Sequence, residues 1–230
     1  MPTFREIYTH HADLYERLVA REDYEGRLLP AIAAICPLHG REVVEFGAGT
    51  GRVTALLAPH VHAICAFDAS HHMLSVAAQR LRGMVNVWLA VADNRALPLP
   101  PAAADVAVEG WSFGHATDWH PDRWQAHIEE ALAEMRRVLR PGGMMILIET
   151  LGTGCESPQP PSERLAALYA WLEGALGFSH TWVRTDYRFA SPQEAEELVR
   201  FFFGDDLADR VARQRLTLLP ECTGIWWRAV

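Results

Sequence analysis

The stretch VVEFGAGTGRVTALLA, residues 43–58, constrains this chain more than any other. Val43, Val44 and Phe46 form a short apolar run that reads as a buried strand. The run breaks into Gly47-Ala48-Gly49-Thr50-Gly51, and a helical pattern follows at Val53, Leu56 and Leu57 until Pro59. Glycines let backbone approach a ligand with no Cβ in the way, and the start of the helix offers unpaired N–H groups. Strand, glycine turn and helix in this order form the first unit of a doubly wound sheet that holds a nucleotide-type cofactor. The dinucleotide form G-x-G-x-x-G needs glycine at position 52, where this chain has Arg52. The form present is E-x-G-x-G-x-G, counted from Glu45. A tight turn in some other α/β domain is the plain alternative.

Further strands follow at intervals that suit such a sheet. The run at 61–70 ends in Asp68, where a doubly wound sheet places an acceptor for ribose hydroxyls. Asp68 is also a possible cap for the helix 70–81, with Ser70 as its competitor. A third strand in 85–100 ends at Asp93-Asn94, and Asp93 alternatively reads as a turn residue bonded to its own backbone. The fourth strand, 104–110, is apolar up to Glu109 and opens into an aromatic loop with Trp111, His115, Trp119 and His120. A long amphipathic helix from Trp124 ends in Leu139-Arg140-Pro141-Gly142-Gly143, and a fifth strand runs to about Thr150.

Glu45 with Gly47, Gly49 and Gly51, then Asp68, Asp93 and the Pro141-Gly142-Gly143 turn, resemble the ordered motifs of class I S-adenosylmethionine (SAM)-dependent methyltransferases. The small-molecule branch, methyltransferase type 11-like, is the most similar in layout. The resemblance implies a Rossmann-like, seven-stranded, mostly parallel α/β sheet with a C-terminal antiparallel strand pair. It implies SAM as cofactor, held by Glu45, Gly47, Ala48, Gly49, Gly51, Asp68, Ala69, Met73, Asp93, Asn94, Glu109 and Gly110. It also implies a small-molecule methyl acceptor. Asp93, which would receive the adenine amino group, has no counterpart role in a nicotinamide enzyme. A nicotinamide oxidoreductase and a non-catalytic SAM-binding module remain the rival readings.

The 230 residues suit one domain, 1–230. Residues 1–38 form an N-terminal helical addition, with helical spacing over 3–19 and a second helix from about Asp23 to Ile35 that Pro30 kinks or breaks. Tyr8, His11 and Tyr15 fall near one stripe; these helices either pack against the sheet edge or, as the resemblance implies, form a lid from which Tyr8 or Tyr15 reaches the cofactor. Residues 151–189, with the helix 162–176, read as a helical, substrate-covering insertion after strand five. A helix over 191–204 with Ser191 as cap and Pro192 at its first position follows, and 213–230 reads as two final strands.

Methyl transfer needs a nucleophile held in line with the S–CH₃ bond and, for a protic nucleophile, a base. His115 is the first candidate base, with Glu109, Glu149 and His120 as rivals. Trp111, Trp119, Trp171 and Trp182 are candidates for a pocket lining or for core. No histidine or cysteine spacing suggests a metal site. The net charge of -8 disfavours nucleic acid, and the loop after strand four lacks the N-P-P-Y pattern of nucleic-acid amino-methyltransferases. The scattered Cys36, Cys65, Cys155 and Cys222, the mixed-charge N-terminus and the lack of a long apolar run suggest a cytoplasmic protein away from membranes, and the apolar stripe of the insertion helix, buried against the core or a second chain, suggests a monomer or a homodimer.

Overall fold

A computed structural model describes residues 2–230. Two short helices, α1 (Phe4–His10) and α2 (Ala12–Val19), precede α3 (Leu28–Ile35) and the first strand, β1 (Glu42–Phe46). Then come α4 (Arg52–Leu57), β2 (Ala63–Asp68), α5 (His71–Arg80), β3 (Val87–Val91) and β4 (Ala104–Gly110). A single turn, α6 (Ala116–Trp119), leads to α7 (Trp124–Val138), β5 (Leu139–Thr153), α8 (Glu163–Gly174) and β6 (Ser179–Arg184). The chain closes with β7 (Tyr187–Arg188), α9 (Pro192–Phe203), α10 (Asp205–Gln214), β8 (Leu218–Leu219) and β9 (Glu221–Ala229).

Seven strands form one sheet in the order β3-β2-β1-β4-β5-β9-β6. β1 to β5 pair in parallel, and β9 runs antiparallel to both β5 and β6. Side chains alternate across each strand, so neighbouring apolar residues serve opposite layers. Val44, Ala107, Met145 and Leu147 pack with Ile128, Leu132 and Met135 of α7 and Leu168 and Leu172 of α8. Val43, Val106, Val108, Ile146 and Ile148 pack with Leu28 and Ile32 of α3 and Val53 and Leu57 of α4. The expected Rossmann-like, mostly parallel sheet is therefore present, with its C-terminal antiparallel pair.

The partners in that pair differ from expectation. Residues 179–184, read as part of the insertion, are the edge strand β6, and β6 pairs with β9 from Ser179↔Trp227 to Arg184↔Cys222. The segment 213–230 holds only one strand of the main sheet. Arg213 and Gln214 end α10, and β8 pairs with β7 in a separate two-stranded ribbon. DDLADRVARQ is helical because Ala208 and Val211 share a buried face and Asp205 and Asp206 favour the first turn. Gly204, at φ 93°, turns the chain from α9 into α10.

α9, α10, the ribbon and Leu18 of α2 share a satellite core of Tyr187, Phe189, Leu198, Val199, Val211 and Leu219. This unit lies after β6 and joins the N-terminal helices. The helical spacing over 3–19 resolves into two helices that break at His11, whose φ of -129° is non-helical. The break separates His11 from Tyr8 and Tyr15, and its ring meets Phe201 instead. α3 begins at Leu28 rather than Asp23, because the Asp23 carboxylate accepts the Arg27 and Leu28 N–H groups (2.7 and 3.1 Å). Pro30 then sits in the first turn, where its missing N–H disturbs nothing.

Candidate active site

The carboxyl ends of the strands build a cradle around the glycine turn. Asp68, at the tip of β2, accepts the Gly49 N–H at 2.8 Å through Oδ2 and the Ser70 N–H at 2.7 Å through Oδ1. Burial pushes its carboxyl upward, while those two backbone donors pull it back. Ser70, whose hydroxyl accepts the Met73 N–H at 3.3 Å, is the cap of α5, so Asp68 is released from that role. Gly47 sits at φ 72°, and a Cβ there would overlap the Ser112 side chain in the loop after β4. Glu45 is buried beneath the turn, bonded by the Thr54 hydroxyl at 2.5 Å, and burial pushes its carboxyl up to about 8.

A chamber of about 570 Å³ opens above the turn, within the usual range of small-molecule sites. Glu45, Gly47, Ala48, Gly49, Asp68, Ala69, Met73, Asp93, Asn94 and Gly110 line it, and Tyr8 and Tyr15 cover it from α1 and α2. Asp93 is held by Arg95, which takes both its oxygens (2.9 and 2.7 Å) and depresses its carboxyl to about 2. Two expected cofactor residues do not reach this chamber. Gly51 takes the left-handed conformation (φ 79°) that begins α4, where a Cβ would press on Leu81 and Ala77. Glu109 is fully buried, its Oε2 accepts the Ser112 and Phe113 N–H groups (3.1 and 3.3 Å), and it is not part of this chamber's lining. In this structure Glu109 shapes the loop after β4 and stands beneath the chamber where its catalytic and cofactor roles were expected.

A second chamber, about 520 Å³, adjoins the first. Its walls come from α1 and α2 (Phe4, Leu18), the loop after β4 (Gly114, His115), the segment after β5 (Cys155, Pro160, Pro161) and α9 (Phe202, Phe203). The last contribution was not foreseen: α9 was read only as a helix, and nothing local in its sequence points to a cavity. Tyr8, Tyr15, Arg52, Trp111 and His115 line both chambers and so form the wall between them. Trp119 lines the first chamber, whereas Trp171 packs against Trp124 and Trp182 is exposed on the edge strand.

His115 Nε2 lies 2.6 Å from the Tyr8 hydroxyl, and its ring stacks on Trp119 at 4.8 Å between centroids. Burial lowers its pKa to about 4, with Asp118 opposing, so the imidazole is neutral. The rival His120 stacks on His127 at 3.7 Å at the side of the first chamber. Glu149, the other rival, lines the second chamber and accepts the Gly114 N–H at 2.6 Å.

Arg52 is central, although the sequence marked it only as a missing glycine. It is half-buried, ion-paired with the buried side chain of Glu22, and its guanidinium lies 3.4 Å from the Trp111 ring centroid. Glu22 also accepts the Tyr187 hydroxyl at 2.8 Å and the Thr185 hydroxyl at 3.1 Å, which ties α2, α4 and the ribbon together. Trp111 is itself in the left-handed region (φ 54°), held there by Arg52 and by its N–H bond to Ile148 O at 2.7 Å. Glu22 is 30 residues from Arg52, so no local spacing signals the pair.

Residues 44–147 match the methyltransferase domain family. Together with the strand order and the glycine cradle, this match makes the chain similar to SAM-dependent methyltransferase domains from β1 into β5, and the whole sheet has their fold. Among its relatives is an uncharacterized methyltransferase of Geobacillus kaustophilus, 28% identical over 152 residues, 64% of this chain and 66% of that one. The ubiquinone/menaquinone biosynthesis C-methyltransferase UbiE of Rubrivivax gelatinosus is 32% identical over 113 residues, 49% of this chain and 41% of that one. The match thus spans less than two thirds of these curated relatives. A SAM-dependent methyltransferase from Aquifex aeolicus shares the fold at a TM-score of 0.58 and 16% identity, covering 90% of this chain and 95% of that one. No described helix is long and apolar enough to cross a membrane.

Proposed function

We propose that this protein transfers the methyl group of SAM to a small-molecule acceptor, with the cofactor in the first chamber and the acceptor in the second. The observation that carries this reading is the shared wall of Tyr8, Tyr15, Arg52, Trp111 and His115. Two cavities of small-molecule size that meet at one wall suit a transfer between two bound molecules. The first chamber fits SAM: the backbone of Gly47 and Gly49 lines it, Gly47 leaving room for the Ser112 side chain, and the partly buried Asp68 carboxylate stands at the tip of β2. Asp68 would take the ribose hydroxyls, and Asp93 with Asn94 would face the adenine. When bound, SAM supplies an electrophilic methyl carbon on a sulfonium.

The chain's own residues supply position, shelter and a proton acceptor. Tyr8 and Tyr15 cover both molecules and exclude water from the junction. Neutral His115 accepts the acceptor's proton at an imidazole nitrogen, either directly or through the Tyr8 hydroxyl bonded to Nε2. Calorimetry with SAM, its demethylated product S-adenosylhomocysteine (SAH) and NAD tests the reading. SAM and SAH should bind in the micromolar range and NAD far more weakly; tighter binding of NAD would replace it with the nicotinamide reading. Absence of turnover on a metabolite panel despite SAM binding would favour a non-catalytic module.

A further inference from the structure

Acidic side chains outnumber basic ones along the walls of the second chamber. Five ionisable side chains of the aspartate, glutamate and arginine types line it: Glu22, Arg52, Asp118, Glu149 and Glu221. Arg52 is committed to Glu22 by a part-buried ion pair. Asp118 stands at the exposed rim and pairs with Arg164 at 2.9 Å. Among the described residues Glu149 and Glu221 have no ion-pair partner; both are at least nine-tenths buried, and burial pushes their carboxyls up to about 7 and about 8. Glu221 Oε1 accepts the Thr150 hydroxyl at 2.7 Å, whereas its Oε2 has no partner of hydrogen-bond geometry. Glu149 spends Oε1 on the Gly114 N–H. Both carboxyls line this one chamber, Glu149 from β5 and Glu221 from β9.

A buried carboxyl oxygen without a partner is costly unless a ligand satisfies it. The other lining groups narrow the ligand. An anionic molecule would meet carboxyls here and find Arg52 already neutralised. A purely apolar one would leave Glu221 Oε2 unsatisfied. A molecule that brings N–H donors, charged or neutral, satisfies these oxygens, and the rings of Tyr8, Trp111, Tyr187 and Phe202 suit its apolar body and a cation alike.

We infer that the acceptor is a small amine, its nitrogen held by Glu149 and Glu221 and its apolar body against the aromatic wall. This rests on the assignment of the second chamber to the acceptor. The amine is the recognition group, which leaves the methylated atom at the wall near His115.

The test is calorimetry on the full chain loaded with SAH, using matched phenylalkyl amines, alcohols and carboxylates of increasing chain length. SAH binding is measured first, and its failure overturns the methyl-transfer reading and this inference together. With SAH bound, at least one amine should bind about tenfold or more tighter than its matched alcohol and carboxylate, the scale of one charged hydrogen bond. Glu221→Gln, which keeps an acceptor for Thr150, should abolish that preference, as should Glu149→Gln, which keeps one for Gly114. Equal or tighter binding of the alcohols or carboxylates overturns the inference alone, as does failure of every amine to bind. Retention of the amine preference in folded Glu221→Gln and Glu149→Gln proteins also overturns it. Should neither variant fold, the selectivity of the unaltered protein decides.

Discussion

The Tyr8 hydroxyl and His115 Nε2 lie 2.6 Å apart across 107 residues of sequence. The bond joins α1 to the loop after β4 at the wall between the two chambers. It makes the N-terminal helices part of the site.

His115 gives that wall a pH signature. Its pKa is near 6.5 unfolded and about 4 folded, because burial disfavours the imidazolium. The unfolded chain therefore binds the proton first, and stability present above pH 6.5 is lost as pH falls toward 4. At pH 4.5 the loss from this group is about 2–3 kcal/mol. Urea unfolding of the unaltered protein and His115→Asn at pH 7 and pH 4.5 should show the variant losing less by that amount. Equal losses would show that His115 takes up its proton in the folded state.

In catalysis, His115→Ala should lower turnover about 10²-fold or more, the usual contribution of a positioned base. Affinity for SAH should change little, because the glycine cradle and Asp68 are untouched. Methyl transfer from labelled SAM, followed beside SAH calorimetry, separates the two effects. Unchanged turnover would exclude His115 as the base.

Asp68 has two tasks. Besides facing the first chamber, its carboxylate fixes the Gly49 and Ser70 N–H groups. Asp68→Ala should weaken SAH binding roughly tenfold to a thousandfold and also lower stability by about 1–3 kcal/mol, because donors lose their acceptor. From sequence alone the fold would be nearly indifferent to this change. Ser70→Ala, which removes the cap of α5, should cost about 1 kcal/mol and affect SAH far less. Normal SAH binding by folded Asp68→Ala would remove Asp68 from the cofactor site.

Removing Arg52 leaves Glu22 buried without its cation. Arg52→Ala should cost about 3–5 kcal/mol in chemical unfolding, the scale of an uncompensated buried charge. Adding Glu22→Gln should recover part of that loss, since no ionised carboxylate is then stranded. Strict additivity of the two changes in a double-mutant cycle would show that the pair is not coupled.

Patterns confined to a few neighbouring residues determined much of this protein. The alternation of Val43 and Val44, and of Met145 and Ile146, sends side chains to opposite layers and makes a buried strand. Ser191 with Pro192 starts α9 because a cap and a preset φ act within one turn. The glycine turn and the acids at the strand tips follow from the same short-range geometry, and ten of the expected cofactor residues plus Tyr8 and Tyr15 meet around one chamber.

Tertiary structure decided what depends on pairing between distant segments. β6 and 205–214 are both short and mixed in character; β6 became an edge strand only because β9 offered it a partner, and 205–214 turned helical against α9. Glu109 and Glu149 look alike at the ends of their strands, yet one turns into the loop and the other into a cavity. The Arg52–Glu22 pair, the Tyr8–His115 bond and the open oxygen of Glu221 join elements far apart in the chain. Such contacts arise only when the packed layers set the distances, so no spacing along the chain encodes them.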